Sequence, residues 1–414
     1  MSTPVNDAGL AVTGIGLVTP AGSGTAATWE GVCAGHGTAA PDPQLAGLPV
    51  GFSCRVPGFD PRTQVPGARP WQYDRCTQFA LAAANEAVTA AGLDPSTWNA
   101  ARVAIVLGSA AGGVGTYEEQ LRKLGDAGPR AVSPLTLPAF LPNMAAGQLA
   151  IALGARGPVL HTATACASGA SAVALAALLL SAGACDIAVA GGADAMVTPL
   201  CAAAFARMGA LSRRHDAPDR ASRPFDADRD GFVLGEGAGV LVLERAADAA
   251  ARRAPVQARL VGHGISADAH HPVAPDPEGR GLRLAVHEAL RSADATPRDI
   301  DHINAHGTST PLNDRAEAAT LAQLFGAAGP SVTSTKGVLG HTMGAAGAIE
   351  AALTALTVKH QLVPPTANFR HPDPDAPALD LVTGRPRRQT VRLALSDSLG
   401  FGGHATVLAF RPAA

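Results

Sequence analysis

Aromatic residues are scarce: Phe, Trp and Tyr make up 4% of the 414 residues, so the core cannot rest on ring packing. Lysine is scarcer. Lys123, Lys336 and Lys359 are the three lysines among 32 basic residues, and a GC-rich coding bias accounts for the arginine excess. Each surviving lysine therefore marks a position worth inspecting. A field of one sign is also missing, with a net charge of −2 and a pI near 6.7, which excludes a global basic surface for nucleic acid. The six cysteines (Cys33, Cys54, Cys76, Cys166, Cys185, Cys201) contain no C-x-x-C pair and no zinc-ligand spacing. Residues 1–7 carry neither a basic nor an apolar leader. The thiols thus read as the reduced cysteines of a cytoplasmic protein.

Charge is absent altogether from 157–185, a stretch long enough to imitate a membrane span. Gly, Ala, Ser and Thr dominate it, and strand-like Val159-Leu160-His161-Thr162 precedes a turn at Ala165-Cys166. The expectation is a central helix buried inside the protein, with no membrane partner.

What is plentiful is glycine (46) and proline (32), which favour tight loops and close backbone approach. Apolar strand-like runs alternate with alanine-rich helical stretches, the pattern of an α/β protein. Their order repeats. Leu10-Ala11-Val12-Thr13-Gly14-Ile15-Gly16 is matched by Ala258-Arg259-Leu260-Val261-Gly262-His263-Gly264. The run from Val103 to Ser109 is matched by that from Ile300 to Gly307, and Pro158 to Ala165 by Pro330 to Thr335, each of the last pair leading into a helix. Repeats this long are not solenoid units. They predict two fused α/β halves, 1–254 and 255–414, with a seam near 252–256, packed about a pseudo-twofold axis that brings equivalent loops together.

Thr162-Ala163-Thr164-Ala165-Cys166-Ala167-Ser168-Gly169 passes from strand to helix through small residues only. A thiol there meets the free amides and dipole of a helix N-terminus, which favour the thiolate and lower its pKa. The Cys166 amide could donate to the oxyanion of a tetrahedral intermediate. The other five cysteines read as small buried hydrophobes. His306 follows a strand in Asn304-Ala305-His306-Gly307-Thr308-Ser309-Thr310-Pro311, and strand ends in α/β folds are where ligands bind. His341 and Lys336 share the glycine-dense loop Thr335-Lys336-Gly337-Val338-Leu339-Gly340-His341-Thr342-Met343-Gly344. Those neighbours separate His306 and His341 from His161, His263, His270, His271 and His404, which stay unassigned. Glu317 is the expected ionic partner of Lys336.

Together with Arg223-Pro224-Phe225-Asp226, Asp230-Gly231-Phe232-Val233-Leu234-Gly235-Glu236-Gly237 and Gly400-Phe401-Gly402-Gly403, these motifs resemble the elongating beta-ketoacyl-acyl-carrier-protein synthases of the thiolase superfamily. The group includes bacterial fatty-acid synthases and type II polyketide ketosynthases. The resemblance spans nearly the whole chain. It implies a thiolase fold, two duplicated α/β halves in a five-layered αβαβα arrangement, and decarboxylative condensation of a Cys166-bound acyl chain with malonyl-acyl carrier protein. His306 and His341 would stabilise the enolate. Lys336 and Glu317 would support them, with Asp314 structural. Phe401 and Gly402 would form the second oxyanion hole and the gate, Thr308 and Thr310 would hold the pantetheine arm, and Ala111 would floor the acyl pocket.

No metal or dissociable cofactor is implied; substrates arrive on the phosphopantetheine arm of acyl carrier protein, whose acidic surface could meet Arg62, Arg69, Arg75, Arg213 and Arg214. In place of the Arg-Lys pair of fatty-acid members stands Arg69-Pro70-Trp71-Gln72-Tyr73-Asp74-Arg75. The motif Asp74-Arg75-Cys76-Thr77-Gln78-Phe79 leans toward polyketide enzymes, and Gly403-His404-Ala405 toward fatty-acid ones. Three readings stay open: the ketosynthase of a heterodimer with a chain-length-factor-like subunit, a homodimeric fatty-acid enzyme, and a non-catalytic partner subunit. The nucleophile and both histidines argue against the last.

Overall fold

The computed structural model describes residues 9–65, 69–326 and 329–413; the segment 1–7 lies outside the described residues. The first half supplies strands β1 (Leu10–Thr19), β2 (Val103–Gly108), β3 (Val159–Thr162), β4 (Ile187–Asp194) and β5 (Gly237–Arg245). They lie in the order β1-β5-β4-β2-β3. β5 runs antiparallel to β1 and β4, and β2 parallel to β4 and β3. The second half supplies β6 (Ala258–Ala267), β7 (His302–Asn304), β8 (Ser331–Thr333), β9 (Asp380–Leu381), β10 (Ala394–Gly400) and β11 (His404–Arg411). Their order, β6-β11-β10-β7-β8-β9, repeats that of the first half with β9 added at the edge. The directions repeat too. The half-sheets join where β1 meets β6 antiparallel, Leu10 opposite Leu260 and Val12 opposite Ala258, as a local twofold requires.

The longer helices are α1 (Arg75–Ala90), α2 (Val114–Ala127), α3 (Ser168–Ser181), α4 (Arg280–Ser292), α5 (Pro311–Phe325) and α6 (Ala346–His360), and the shorter helix Met144–Leu153 packs on β2 and β3. α1 packs on β1, β5 and β4, and α4 on β6 and β11. α3 and α6 lie between the half-sheets, touching strands of both and each other. The result is five layers, α/β/α/β/α.

Sequence explains why each helix sits where it does. The Asp74 side chain caps α1 by accepting from the Cys76 amide, satisfying a donor that the first turn leaves free. α1 then lies directly on β1 because Gly14 and Gly16 offer no side chain. A Cβ on either would stand 2.0 or 1.9 Å from the carbonyl oxygens of Ala87 and Ala83. Gly262 and Gly264 repeat the device in β6, at 2.3 and 2.0 Å from the carbonyls of Ala289 and Ala285 in α4. In the middle layer every residue of α6 from Ala346 to Val358 is buried, as a helix that is apolar all round should be. The uncharged stretch 157–185 contains β3 and α3. No helix among the described residues is long and apolar enough to cross a membrane.

The glycine contacts predict opposite outcomes at two positions. Gly16→Val forces a side chain into a helix backbone and should destabilise by about 3 kcal/mol or more. Gly125→Ala, in exposed α2 with nothing within 4 Å of the new methyl, should stabilise by about 0.5–1 kcal/mol. Urea unfolding of both variants checks the pair.

Candidate active site

Cys166 occupies the turn Ala165–Ala167 between β3 and α3. Ala165 adopts φ 49°, a left-handed conformation that a non-glycine residue takes only when its surroundings enforce it. Here the Ser168 hydroxyl does so, accepting from the Thr164 amide at 2.9 Å and donating to the Ala165 carbonyl at 2.6 Å. The second half carries the matching turn Met343–Ala345 ahead of α6, with Met343 at φ 53°. Gly344 thus stands where Cys166 does, and His341 lies three residues before it.

His306 follows the end of β7. Its amide donates to Glu317 Oε1 at 2.7 Å and to Asp397 Oδ1 at 2.6 Å, and the Gly307 amide donates to Glu317 Oε2 at 2.7 Å. The imidazoles of His306 and His341 face each other with centroids 5.5 Å apart and planes at 84°. Lys336, 1% exposed, places its Nζ 3.4 Å from His306 Nδ1. An ammonium can only donate, so Nδ1 accepts and the proton of the neutral ring sits on Nε2. His341 Nδ1 is buried with no hydrogen-bond partner among the described residues, which leaves Nε2 as the nitrogen able to serve a ligand. Burial and the Lys336 charge hold both imidazoles well below their usual pKa, with His341 adding to the effect on His306.

One cavity of about 380 Å³ is lined by Cys166, His306, His341, Thr308, Thr310 and Phe401 together with Phe205, Phe232 and Met343. The Thr308 and Thr310 hydroxyls bond each other at 2.9 Å. An aromatic train runs from Phe401 through Phe205 and Phe232 to His341, with successive centroids 6.4, 5.4 and 5.3 Å apart. The loop bearing Phe401 leans on the Cys166 turn. A Cβ on Gly400 would come within 2.4 Å of the Thr164 carbonyl and 3.3 Å of the Cys166 amide nitrogen.

Five expectations need correction. Lys336 pairs with Glu350 of α6, not with Glu317; Glu317 is instead held by the backbone amides of His306 and Gly307 and by Asn313. Burial pushes the Cys166 thiol up to about 12, with Lys336 and the Cys166 amide pulling it down only in part, so desolvation outweighs the helix N-terminus. Gly402 spends its amide on the Pro272 carbonyl at 2.8 Å and cannot serve an oxyanion. Ala111 packs on the apolar cluster containing Cys166 but does not line the cavity. Arg75 is committed internally, to buried Glu236 at 2.7 Å and over the Phe79 ring. Asp314 is structural as expected, accepting from the Phe225 and Ser309 amides.

Models of the "Beta-ketoacyl synthase, N-terminal domain" and "Beta-ketoacyl synthase, C-terminal domain" match residues 8–249 and 257–370. The chain belongs to the beta-ketoacyl synthase family. It is 41% identical over 404 residues to 3-oxoacyl-[acyl-carrier-protein] synthase 2 of Synechocystis sp., and 40% identical to the same-named protein of Staphylococcus aureus, covering 97% of both chains in each case. Among solved structures it resembles the ishigamide ketosynthase/chain length factor, with a TM-score of 0.91 and 35% identity over 98% of this chain and 99% of that one. A beta-ketoacyl synthase from Burkholderia phymatum matches with a TM-score of 0.90 and 31% identity, over 98% and 99% of the two chains.

Three acids at the site of this beta-ketoacyl synthase escaped the sequence reading. Glu350 is the one carboxylate in the otherwise uncharged body of α6, and that isolation was a usable signal. Asp397 is likewise the lone acid of β10, set between Ser396 and Ser398. Asp194 ends β4 and accepts from the Ser109 hydroxyl, the Ala110 amide and the Gly344 amide at 2.6, 2.9 and 2.6 Å. It ties the 109–112 loop to the turn after His341, and nothing in its local sequence marks it.

The buried, Lys336-flanked imidazoles predict a spectroscopic result. In long-range proton–nitrogen spectra of histidine-labelled enzyme, His306 and His341 should keep the neutral Nε2–H pattern down to pH 5.5, whereas an ordinary histidine titrates near 6.5. Protonation of either ring above pH 6 would contradict the electrostatics described here.

Proposed function

We propose that this chain is a beta-ketoacyl-acyl-carrier-protein synthase working as the ketosynthase of a type II polyketide-like pair. The observation that carries the reaction is the meeting of one buried thiol and two buried imidazoles in a single cavity. The Cys166 sulfur attacks the thioester carbonyl of an acyl carrier, and the departing pantetheine thiolate takes the proton that the thiol gives up. The Cys166 and Phe401 amides steady the tetrahedral oxyanion. Malonyl carrier then enters along Thr308 and Thr310 and presents its thioester oxygen to His306 and His341. The bond to the carboxylate breaks, CO₂ leaves, and the electron pair becomes an enolate held by the two Nε2–H donors. Its carbon attacks the acyl-Cys166 carbonyl, the C–S bond breaks, and the Cys166 thiolate regains a proton from solvent.

Each donor should matter by the measure of an oxyanion-hole group. His306→Ala or His341→Ala should lower malonyl-carrier decarboxylation by about 10²–10³-fold. Cys166→Ala should abolish condensation while leaving decarboxylation measurable. Equal loss of both activities in a folded Cys166→Ala variant would sink this division of roles.

The partner is read from β3. This strand ends the sheet, is uncharged, and leaves Val159 and Leu160 each 39% exposed. Ile151 and Leu178, exposed at 74% and 47%, sit on the two helices packed against it. An open apolar edge of this kind is an aggregation hazard unless paired. A homologous subunit across a twofold would extend the sheet and brace the Cys166 turn. The neighbour described as a ketosynthase/chain length factor supports a heterodimer; the relatives named 3-oxoacyl-[acyl-carrier-protein] synthase 2 support the fatty-acid reading. Arg62, Arg69 and Arg213 remain exposed to meet an acidic carrier. Expressed alone, the chain should be poorly soluble or inactive, and a homologous subunit lacking the nucleophile should rescue it. Light scattering and assay together decide, since a fully active homodimer would hand the case to the fatty-acid reading.

A further inference from the structure

Equivalent turns stand at the starts of α3 and α6, and only one of them is open. Cys166, in the turn Ala165–Ala167, lines the cavity. Its counterpart Gly344, in the turn Met343–Ala345, faces protein. A Cβ on Gly344 would lie 2.4 Å from the Ala110 amide nitrogen and 2.5 Å from Asp194 Oδ2. The space that holds a thiol in the first half is taken in the second by the 109–110 backbone and a carboxylate.

The strands that reach these turns are equivalent as well. β4 touches the turn 343–345 and β10 the turn 165–167, so each half closes on the other. β4 ends at Asp194, opposite Gly237, the first residue of β5. β10 ends at Gly400, opposite His404, the first residue of β11. Asp194 and Gly400 therefore hold the same place in the two halves. Gly400 has no side chain, which leaves the Cys166 amide, 3.3 Å from where its Cβ would stand, free for a ligand. Asp194 has one, and Oδ2 accepts from the Gly344 and Ala110 amides at 2.6 and 2.9 Å while Oδ1 accepts from the Ser109 hydroxyl at 2.6 Å. The residue is fully buried and has no ion-pair partner among the described residues. Fixed amides and a hydroxyl converging on one negative charge are the donor set of an oxyanion hole.

We infer that the Gly344 amide is the second half's counterpart of the Cys166 oxyanion donor, and that Asp194 is the internal anion that fills this second hole. Asp194 is thus a positioning residue. Through the filled hole it fixes the turn that follows His341 and the loop whose Ala110 and Ala111 pack on the cluster containing Cys166. The inference rests on the reading of the Cys166 amide as an oxyanion donor. Burial pushes the Asp194 carboxyl up to about 6, with the Ser109, Ala110 and Gly344 donors opposing the rise, so the group is ionised at pH 8. A hole of this kind recognises a small carboxylate, whether or not the chain supplies it. With the side chain removed, formate should take its place. Burial is the chief cause of the raised Cys166 thiol, and the Asp194 charge adds to it, because like charges in a dry site oppose each other. Neutralising Asp194 should therefore make Cys166 easier to ionise.

The test is Asp194→Gly, which copies the residue at Gly400, titrated with sodium formate at pH 8 on the full chain. Formamide, close in shape but uncharged, is the control. Formate should raise the unfolding temperature of Asp194→Gly saturably, by about 2 °C or more. Wild type and Asp194→Asn, in which a side chain still fills the hole, should not respond. Without formate, Asp194→Gly should lose about tenfold or more in kcat for condensation with KM little changed, and formate should restore much of the loss. Iodoacetamide should alkylate Cys166 faster in both Asp194→Gly and Asp194→Asn than in wild type. The Asn variant keeps the turn filled, so its faster alkylation reports lost charge and not a loosened turn. The proposal is overturned if formate moves neither the unfolding temperature nor kcat of Asp194→Gly, or if formamide does as well. Should Asp194→Gly be recovered unfolded, refolding in formate should give more folded protein than refolding in formamide, and equal yields overturn the proposal. Formate binding is read without turnover, so a wild type inactive in condensation would refute the proposed reaction and leave the filled hole standing.

Discussion

The close contact between α3 and α6 is the constraint on which the rest of the molecule depends. A Cβ on Gly169 would come within 2.8 Å of the Ala348 Cβ and amide, and a Cβ on Gly347 within 2.8 Å of the Ala170 Cβ. The two glycines are equivalent positions of the two halves, so the contact is symmetric and leaves room for hydrogen atoms only. It explains why both helices open on small residues, Ser168 to Ala172 and Ala346 to Ala348, and why charge is almost excluded from them. The helix starts carry the two left-handed turns, at Ala165 and Met343. Pressing the helices together therefore also presses Cys166 toward the loop of His341.

Such a dry centre must account for every charge it contains. Lys336 serves as cation for Glu350 and as donor to His306 Nδ1, so a single residue neutralises one acid and sets one tautomer. The same burial that keeps the imidazoles neutral keeps the Cys166 thiol protonated. The resting site is thus tuned against charge on all three side chains to which the proposed reaction is assigned. In the proposed reaction charge develops there only when a thioester arrives to receive it, and donors already in place then have the most effect in so dry a site. Asp194 extends the arrangement outward, holding the 109–112 loop and the Gly344 turn on a single carboxylate.

Legibility in the sequence followed the range of the interactions concerned. The repeated strand and helix order was readable because each element's pattern is local, and the paired glycines of β1 and β6 sit within the segments that matched. Cys166, His306 and His341 stood out through their immediate neighbours: small residues before a helix, and glycines with hydroxyls after a strand. Lys336 stood out through its rarity. What failed was partner choice. Glu317 and Glu350 are both acids at plausible distances along the chain from Lys336, and only the isolation of Glu350 in an otherwise uncharged stretch of α6 hinted at which of them it takes. Ala111 was placed on the cavity wall when it packs behind it, and Gly402 was given an oxyanion that its amide, bonded to Pro272, cannot hold.

The sequence by itself determined the duplicated α/β architecture, the family, and the three residues on which the proposed chemistry turns, because periodicity, glycine placement and short motifs act within a few residues. Only the tertiary structure decided which acid balances Lys336, which nitrogen of His306 holds the proton, and that burial outweighs the helix N-terminus at Cys166. It alone brought Glu317 and Asp397 onto one backbone amide. Those outcomes depend on desolvation and on contacts between residues tens to hundreds of positions apart, and the dielectric around a group is a property of the packed interior, not of the chain that passes through it.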